Sequence, residues 1–219
     1  MDQFLTDADV RVLGALIEKQ VTTPDNYPLS LNALVLACNQ SSNRQPVVSF
    51  DETTVLAAIV HLRRASLVRG IQRIDSRVTK YEHTAGDTLN LGEQEIAVLC
   101  ALMLRGPNTV GELRTRTERL AKFESLDEVE TTLTALIERE KEPLVVRLPR
   151  KAGQKEVRYA HLLSGEVAAD SNEAPPAAIS VTSPSTHDRV AALEQTVAEL
   201  RSELESIRRQ LEQFRKQFE

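Results

Sequence analysis

The residues with the greatest chemical reach in this chain of 219 are two cysteines and four histidines. Cys38 and Cys100 each sit among apolar residues at helical spacing, and no Cys-x-x-Cys pair occurs. Small thiols in such surroundings pack as hydrophobes, so core placement outweighs a nucleophilic or redox role. His61, His83, His161 and His187 show no metal-ligand spacing. There is no phosphate-binding glycine loop, no nucleophile elbow and no dinucleotide fingerprint. The expectation is a chain that is not an enzyme, with no catalytic residue, no cofactor and no metal.

The remaining chemistry is charge. The net is -5, from 27 Lys+Arg against 32 Asp+Glu, but its distribution is uneven. Residues 1–86 carry 9 basic and 9 acidic side chains, residues 87–163 carry 12 and 13, and residues 164–219 carry 6 and 10. Each near-neutral segment ends in a basic stretch. Arg69, Arg73, Arg77 and Lys80 fall in the first and Arg147, Arg150, Lys151 and Lys155 in the second, and both sets suit DNA-backbone contacts, which position without reading sequence. Arg114, Arg116, Arg119 and Lys122 add a basic helix. Charge runs of this kind are as often plain solvated surface. The polar run 39–44, with Asn39, Gln40, Asn43 and Arg44, can bind an anion or a partner, or can simply cap a helix and form a turn. Aromatic residues make up only 4%, with no Trp, which leaves little for stacking.

The elements that must position these residues form an internal repeat. Val10, Val12, Leu13 and Leu16 align with Ile96, Val98, Leu99 and Leu102 at an offset of 86, and Val55, Ile59 and Leu62 with Val129, Leu133 and Leu136 at 74. Lys80-Tyr81-Glu82-His83 aligns with Arg158-Tyr159-Ala160-His161 at 78. Each half reads as three helices and a β-hairpin. The first helices span about 6–20 and 92–105, and the second helix of the first half ends near Gln40. Thr109 with Glu112, and Ser125 with Glu128, have capping-box spacing. The hairpins turn at Asp75-Ser76 and Ala152-Gly153. Three helices followed by a hairpin make a winged helix. The expected class is therefore mainly α with small β-hairpins (α+β). Its domains are winged-helix repeats at 1–86 and 87–163, a flexible linker at 164–186 and a coiled-coil helix at 187–219.

The residues of the first half also resemble a known family. Arg11-Val12-Leu13-Gly14, Glu18-Lys19-Gln20-Val21-Thr22-Thr23-Pro24, Tyr27-Pro28-Leu29-Ser30 and Cys38-Asn39-Gln40 with Ser42-Asn43-Arg44 are similar to the YceH family of uncharacterised bacterial proteins. The likeness continues through Arg77-Val78-Thr79-Lys80-Tyr81-Glu82, Gly111-Glu112-Leu113-Arg114 and Arg158-Tyr159. Ser41 departs from the lysine expected there. The resemblance implies a tandem winged-helix fold and brings no activity with it.

From Val190 onward, apolar residues recur at alternating spacings of three and four. Val190, Val197, Leu204, Leu211 and Phe218 take the a positions of a heptad, and Leu193, Leu200, Ile207 and Phe214 the d positions. The pattern predicts a homodimer through the tail, with the strand number open.

The outward faces of the third helices bear on partners. Leu56 and Val60 make the first apolar, and Asp127, Glu130 and Glu138 make the second acidic, which suits a partner protein better than phosphate. The expectation is a cytoplasmic, non-catalytic tandem winged-helix protein associated with DNA through its wings, without membrane contact. The alternative is a protein–protein adaptor or scaffold using the third-helix faces and the coiled coil.

Overall fold

In the computed structural model, which describes residues 4–72, 78–140, 142–150 and 156–165, helices start where the sequence offers an oxygen to free backbone donors. The Thr6 hydroxyl caps helix α1 (Asp7–Thr22) by accepting from the Asp9 N–H at 3.2 Å, and the Asp9 carboxylate accepts from the Thr6 N–H at 2.8 Å. Strand β1 (Leu29–Ser30) runs directly into α2 (Leu31–Cys38), which Ser30 caps, and Asp51 caps α3 (Glu52–Arg64). Strands β2 (Val68–Ile71) and β3 (Lys80–His83) pair antiparallel, with Val68 opposite His83 and Ile71 opposite Lys80. Strand β1 adds to the other edge of β3, giving the order β1-β3-β2.

A short helix, α4 (Ala85–Leu89), leads into the second half, so the expected division at 86/87 falls inside it. There follow α5 (Glu93–Arg105), α6 (Val110–Thr117), α7 (Leu126–Ile137) and the antiparallel pair β4 (Val145–Arg147) and β5 (Tyr159–His161). The Thr109–Glu112 capping box is complete. The one expected at Ser125 is only half made. Ser125 Oγ accepts from the Glu128 N–H at 3.2 Å, but the Glu128 carboxylate reaches past the cap to the Glu124 N–H at 2.9 Å. A free donor one residue earlier competes for the same carboxylate.

The class is the α+β arrangement expected, winged-helix-like in each half, and the repeat extends to single positions. Thr6 and Gly92, Ser30 and Thr109, and Asp51 and Ser125 hold matching cap positions. Leu29 pairs with Tyr81 as Asn108 bridges to Tyr159.

The core centres on α1 and α5. Every residue from Asp9 to Ile17 and from Ala97 to Leu104 is buried, so both helices are covered on all faces. That pattern marks a helix enclosed within a domain. Helices α2 and α3 cover one side of α1, and α5 covers the other. At the crossing, Cys100 Sγ donates to the Gly14 carbonyl at 3.4 Å, and these two residues are 86 apart, the repeat offset. The two helices therefore meet at equivalent positions of the repeat. A Cβ on Gly14 would lie 2.9 Å from Leu104 Cδ2 and 3.3 Å from Met103 Cβ, so any larger residue there forces Leu104 and Met103 to move. Leu13, Leu16, Leu62, Leu102 and Leu133 are almost wholly buried, each worth about 1.5–3 kcal/mol of transfer free energy.

Candidate functional site

The hairpin cations lie at the end of each half. The Arg69 Nε donates to the Glu82 carboxylate, its cross-strand partner on β3, and Lys80 is half-buried on the same strand. Arg147 and Arg150 are exposed at and beyond the end of β4. Arg73, Arg77, Lys151 and Lys155, and both expected hairpin turns, lie outside the described residues, as do the heptad residues Leu193, Val197, Leu200, Leu204, Ile207, Leu211 and Phe214. Arg158, which aligns with Lys80, is committed inward, donating to Glu112 Oε2 at 3.0 Å and to the Pro107 carbonyl at 2.8 Å.

The third helices present the faces that their spacing implies. Leu56 and Val60 on α3 are each 43% exposed. Asp127 and Glu130 on α7 and Glu138 at its C-cap are exposed around a shallow depression that includes Thr131 and Thr134.

The polar run 39–44 is a tightly bonded connection. Asn39 closes its base, donating from Nδ2 to the Phe50 carbonyl and accepting from the Phe50 N–H through Oδ1, both at 2.8 Å. Arg44 is not presented to solvent, because its side chain has 0% exposure. It donates to both carboxylate oxygens of Glu18, at 3.0 and 2.6 Å, to the Ala37 carbonyl at 2.9 Å and to Gln40 Oε1 at 3.1 Å. Burial demands these partners, since an uncompensated buried charge is costly. Arg11 is buried beside it and donates to the carbonyls of Cys38 at 3.2 Å and Pro46 at 2.6 Å. Burial and the like charge of Arg44 lower its proton affinity below the ordinary arginine value.

The thiols are held neutral. Burial pushes the Cys38 thiol up to about 12 and raises Cys100 further, which suppresses the thiolate that a nucleophile needs. His61 Nδ1 sits 2.6 Å from the buried Asp9 carboxylate that also caps α1. His187 is outside the described residues. Among the described residues no group of three His, Cys, Asp or Glu side chains is placed to hold a metal, and no helix is long and apolar enough to cross a membrane.

A cleft that the sequence pattern does not reveal opens between the repeats. The ends of α1 and α5 form one wall, through Glu18, Lys19, Leu104 and Arg105, and the end of α6 with the turn after it forms another, through Arg116, Arg119 and Leu120. Gln40, Ser42 and Asn43 complete it, and Arg105 donates to Asn43 Oδ1. One sequence signal was available, because Lys19 and Arg105 are 86 apart and so occupy the same position in the repeat.

These features define a tandem, winged-helix-like α+β protein with two terminal hairpins and a cationic cleft between its halves. A family described as "Protein of unknown function, DUF480" matches residues 5–154. UPF0502 proteins are similar over most of the chain. That of Solibacter usitatus is 53% identical over 91% of this chain and 94% of its own, and that of Opitutus terrae 51% identical over 89% and 82%. A third, from Vibrio parahaemolyticus, is 51% identical over 89% and 90%. The chain belongs to the DUF480 family, whose curated relatives carry the UPF0502 name.

Proposed function

We propose that this chain, of the YceH type within its family, is a non-catalytic tandem winged-helix protein of the cytoplasm that associates with DNA through its hairpins as a homodimer. The observation that carries this reading is the exposure of Arg147 and Arg150 at the end of the second hairpin, with Arg69 at the matching edge of the first. Such cations bind phosphates without reading bases, and the outward face of α7 is acidic while that of α3 is apolar at Leu56 and Val60, with Arg63 and Arg64 exposed only in its last turn, which argues against sequence-specific reading by those helices. Exposed pairs such as Arg69–Glu82 are worth about 0–1 kcal/mol, so phosphate can compete for the arginine.

Titration of the full chain against duplex DNA at several salt concentrations tests this. Each phosphate contact contributes about 0.9 to the slope of log affinity against log salt, so the Arg147→Ala/Arg150→Ala variant should lose about 1–2 from that slope. Absence of binding at about 50 mM salt would overturn the reading and favour the adaptor, for which the specific observation is the exposed Leu56 and Val60 on α3.

A further inference from the structure

The cleft between the repeats has a volume of about 440 Å³, within the range of roughly 300–1,000 Å³ in which small ligands are held. Its charge is one-sided. Glu18 is occupied by Arg44 in a bidentate pair and lies 3.6 Å from Lys19, and Lys19, Arg105, Arg116 and Arg119 line the same space. Arg116 donates through one guanidinium nitrogen to Asn108 Oδ1, and its other lies 3.6 Å from Glu112, whose carboxylate also serves Arg158 and the α6 cap. Among the described residues, neither Arg105 nor Arg119 forms an ion pair.

Helix ends account for part of this. Lys19, Arg105 and Arg116 stand in the last turns of α1, α5 and α6, where a cation offsets the helix dipole. Three helix ends at roughly half a negative charge each, with Glu18 and Glu112, still leave an excess of about 1.5 positive charges once Arg44 and the four lining cations are counted. Arg119 lies beyond α6 and belongs to no last turn.

We propose that this cleft binds a small phosphorylated ligand through Arg105, Arg116, Arg119 and Lys19. Guanidinium forks from two helices match the oxygens of a phosphate and give bidentate contacts. Burial, and then the like charge of Arg116, lower the proton affinity of Arg105, and an oxyanion between the two would relieve that repulsion. Ala101, Leu104 and Leu120 supply an apolar wall for the rest of the ligand. Because the walls come from both repeats, occupancy clamps one half against the other.

Phosphate of this kind could come from a small molecule or from a nucleic-acid backbone, and two arms of one experiment separate them. The full chain is titrated calorimetrically with inorganic pyrophosphate, with a thermal-shift series beside it, and separately with duplex DNA. The expected result is one saturable pyrophosphate site and a raised melting temperature. Arg119→Gln should weaken pyrophosphate about tenfold and Arg105→Gln/Arg119→Gln about a hundredfold, the loss of one and two charged hydrogen bonds, with DNA affinity unchanged. Arg119 is exposed, so its substitution tests the site without disturbing the contact of Arg105 with Asn43. Three results would overturn the proposal: no response at about 5 mM pyrophosphate, an equal response to sulfate at matched ionic strength, or undiminished binding in both variants. A loss of DNA binding alone in those variants would also overturn it, by assigning the cleft to nucleic-acid phosphates. The hairpin reading has its own variant at Arg147 and Arg150, so either idea can fail without the other.

Discussion

His83 and His161 occupy the same place in the two repeats and share the same defect, a buried Nδ1 without a hydrogen-bond partner. In His83, Nε2 contacts Gln20 Oε1, so a second proton would go to the orphaned Nδ1. Burial lowers the His83 pKa to about 4, against the opposing pull of Glu82 and Asp87, and lowers that of His161 as well, with Asp7 opposing. The unfolded chain takes up protons below about 6.5, whereas the folded chain holds His83 neutral until about 4. Between those values the unfolded state binds more protons, so stability falls as pH falls. For His83 the loss is at most about 3 kcal/mol and levels off below its folded pKa. Urea midpoints measured from pH 7 to 4.5 should show this decline, and His83→Gln should flatten it. An unchanged slope in that window would show that His83 does not titrate as its burial requires. The slope, rather than the absolute stability, is the readout, because losing the ring also loses packing.

Among elements, the α1–α5 crossing has the tightest steric requirement. A Cβ at Gly14 would approach Leu104 Cγ at 3.0 Å as well as its terminal methyl. Gly14→Val therefore adds three carbons where the neighbouring helix already sits. Overpacking costs typically 1–3 kcal/mol and the helix propensity gained over glycine returns less than 1, so chemical denaturation should show a net loss of about 1–2 kcal/mol. A neutral or stabilised variant would mean that α5 can shift away freely. This requirement could not be read from the chain, because Gly14 reveals its role only when α5 lies against it. Caps are different. Thr6, Ser30, Asp51, Thr109 and Ser125 bond within three residues of themselves, so their chemistry is local and legible. Arg44 shows the limit, since its partner Glu18 is 26 residues away and nothing in the polar run indicates that the guanidinium turns inward. The cleft was hidden for the same reason, since its cations come from helices that only the tertiary fold brings together. Strand β1 and helix α4 were too short to show a period.

On the scale of the whole molecule, the two ends of the described residues meet where the Leu5 N–H donates to the Leu163 carbonyl at 2.9 Å. The heptads from Val190 onward are outside the described residues and are visible as the spacing of apolar residues in the sequence. A stripe of single a and d residues on a charged helix is narrower than the face a globular core requires, and it suits a helix of its own kind. In a parallel pair, Arg189 meets Glu194 and Glu203 meets Arg208, whereas an antiparallel pair can oppose Arg201 and Arg208. Each exposed pair contributes only about 0.2–1 kcal/mol, so these charges select orientation while the apolar seam supplies affinity. Light scattering should therefore give the full chain twice the mass per particle of a single chain, and a chain ending at Ser185 the mass of one. The consequence for DNA follows from linkage. On the proposed reading, two copies joined by a tail would present four hairpins to one duplex, and a second engagement would be intramolecular, raising apparent affinity by 10- to 100-fold or more, about 1.4–2.7 kcal/mol, if the geometry allows both to bind. The shortened chain should then bind DNA more weakly by that factor with its cleft and hairpins unaltered. Equal masses for the two chains would remove the dimer, and a changed mass with unchanged DNA affinity would show that the tail serves assembly without serving the duplex.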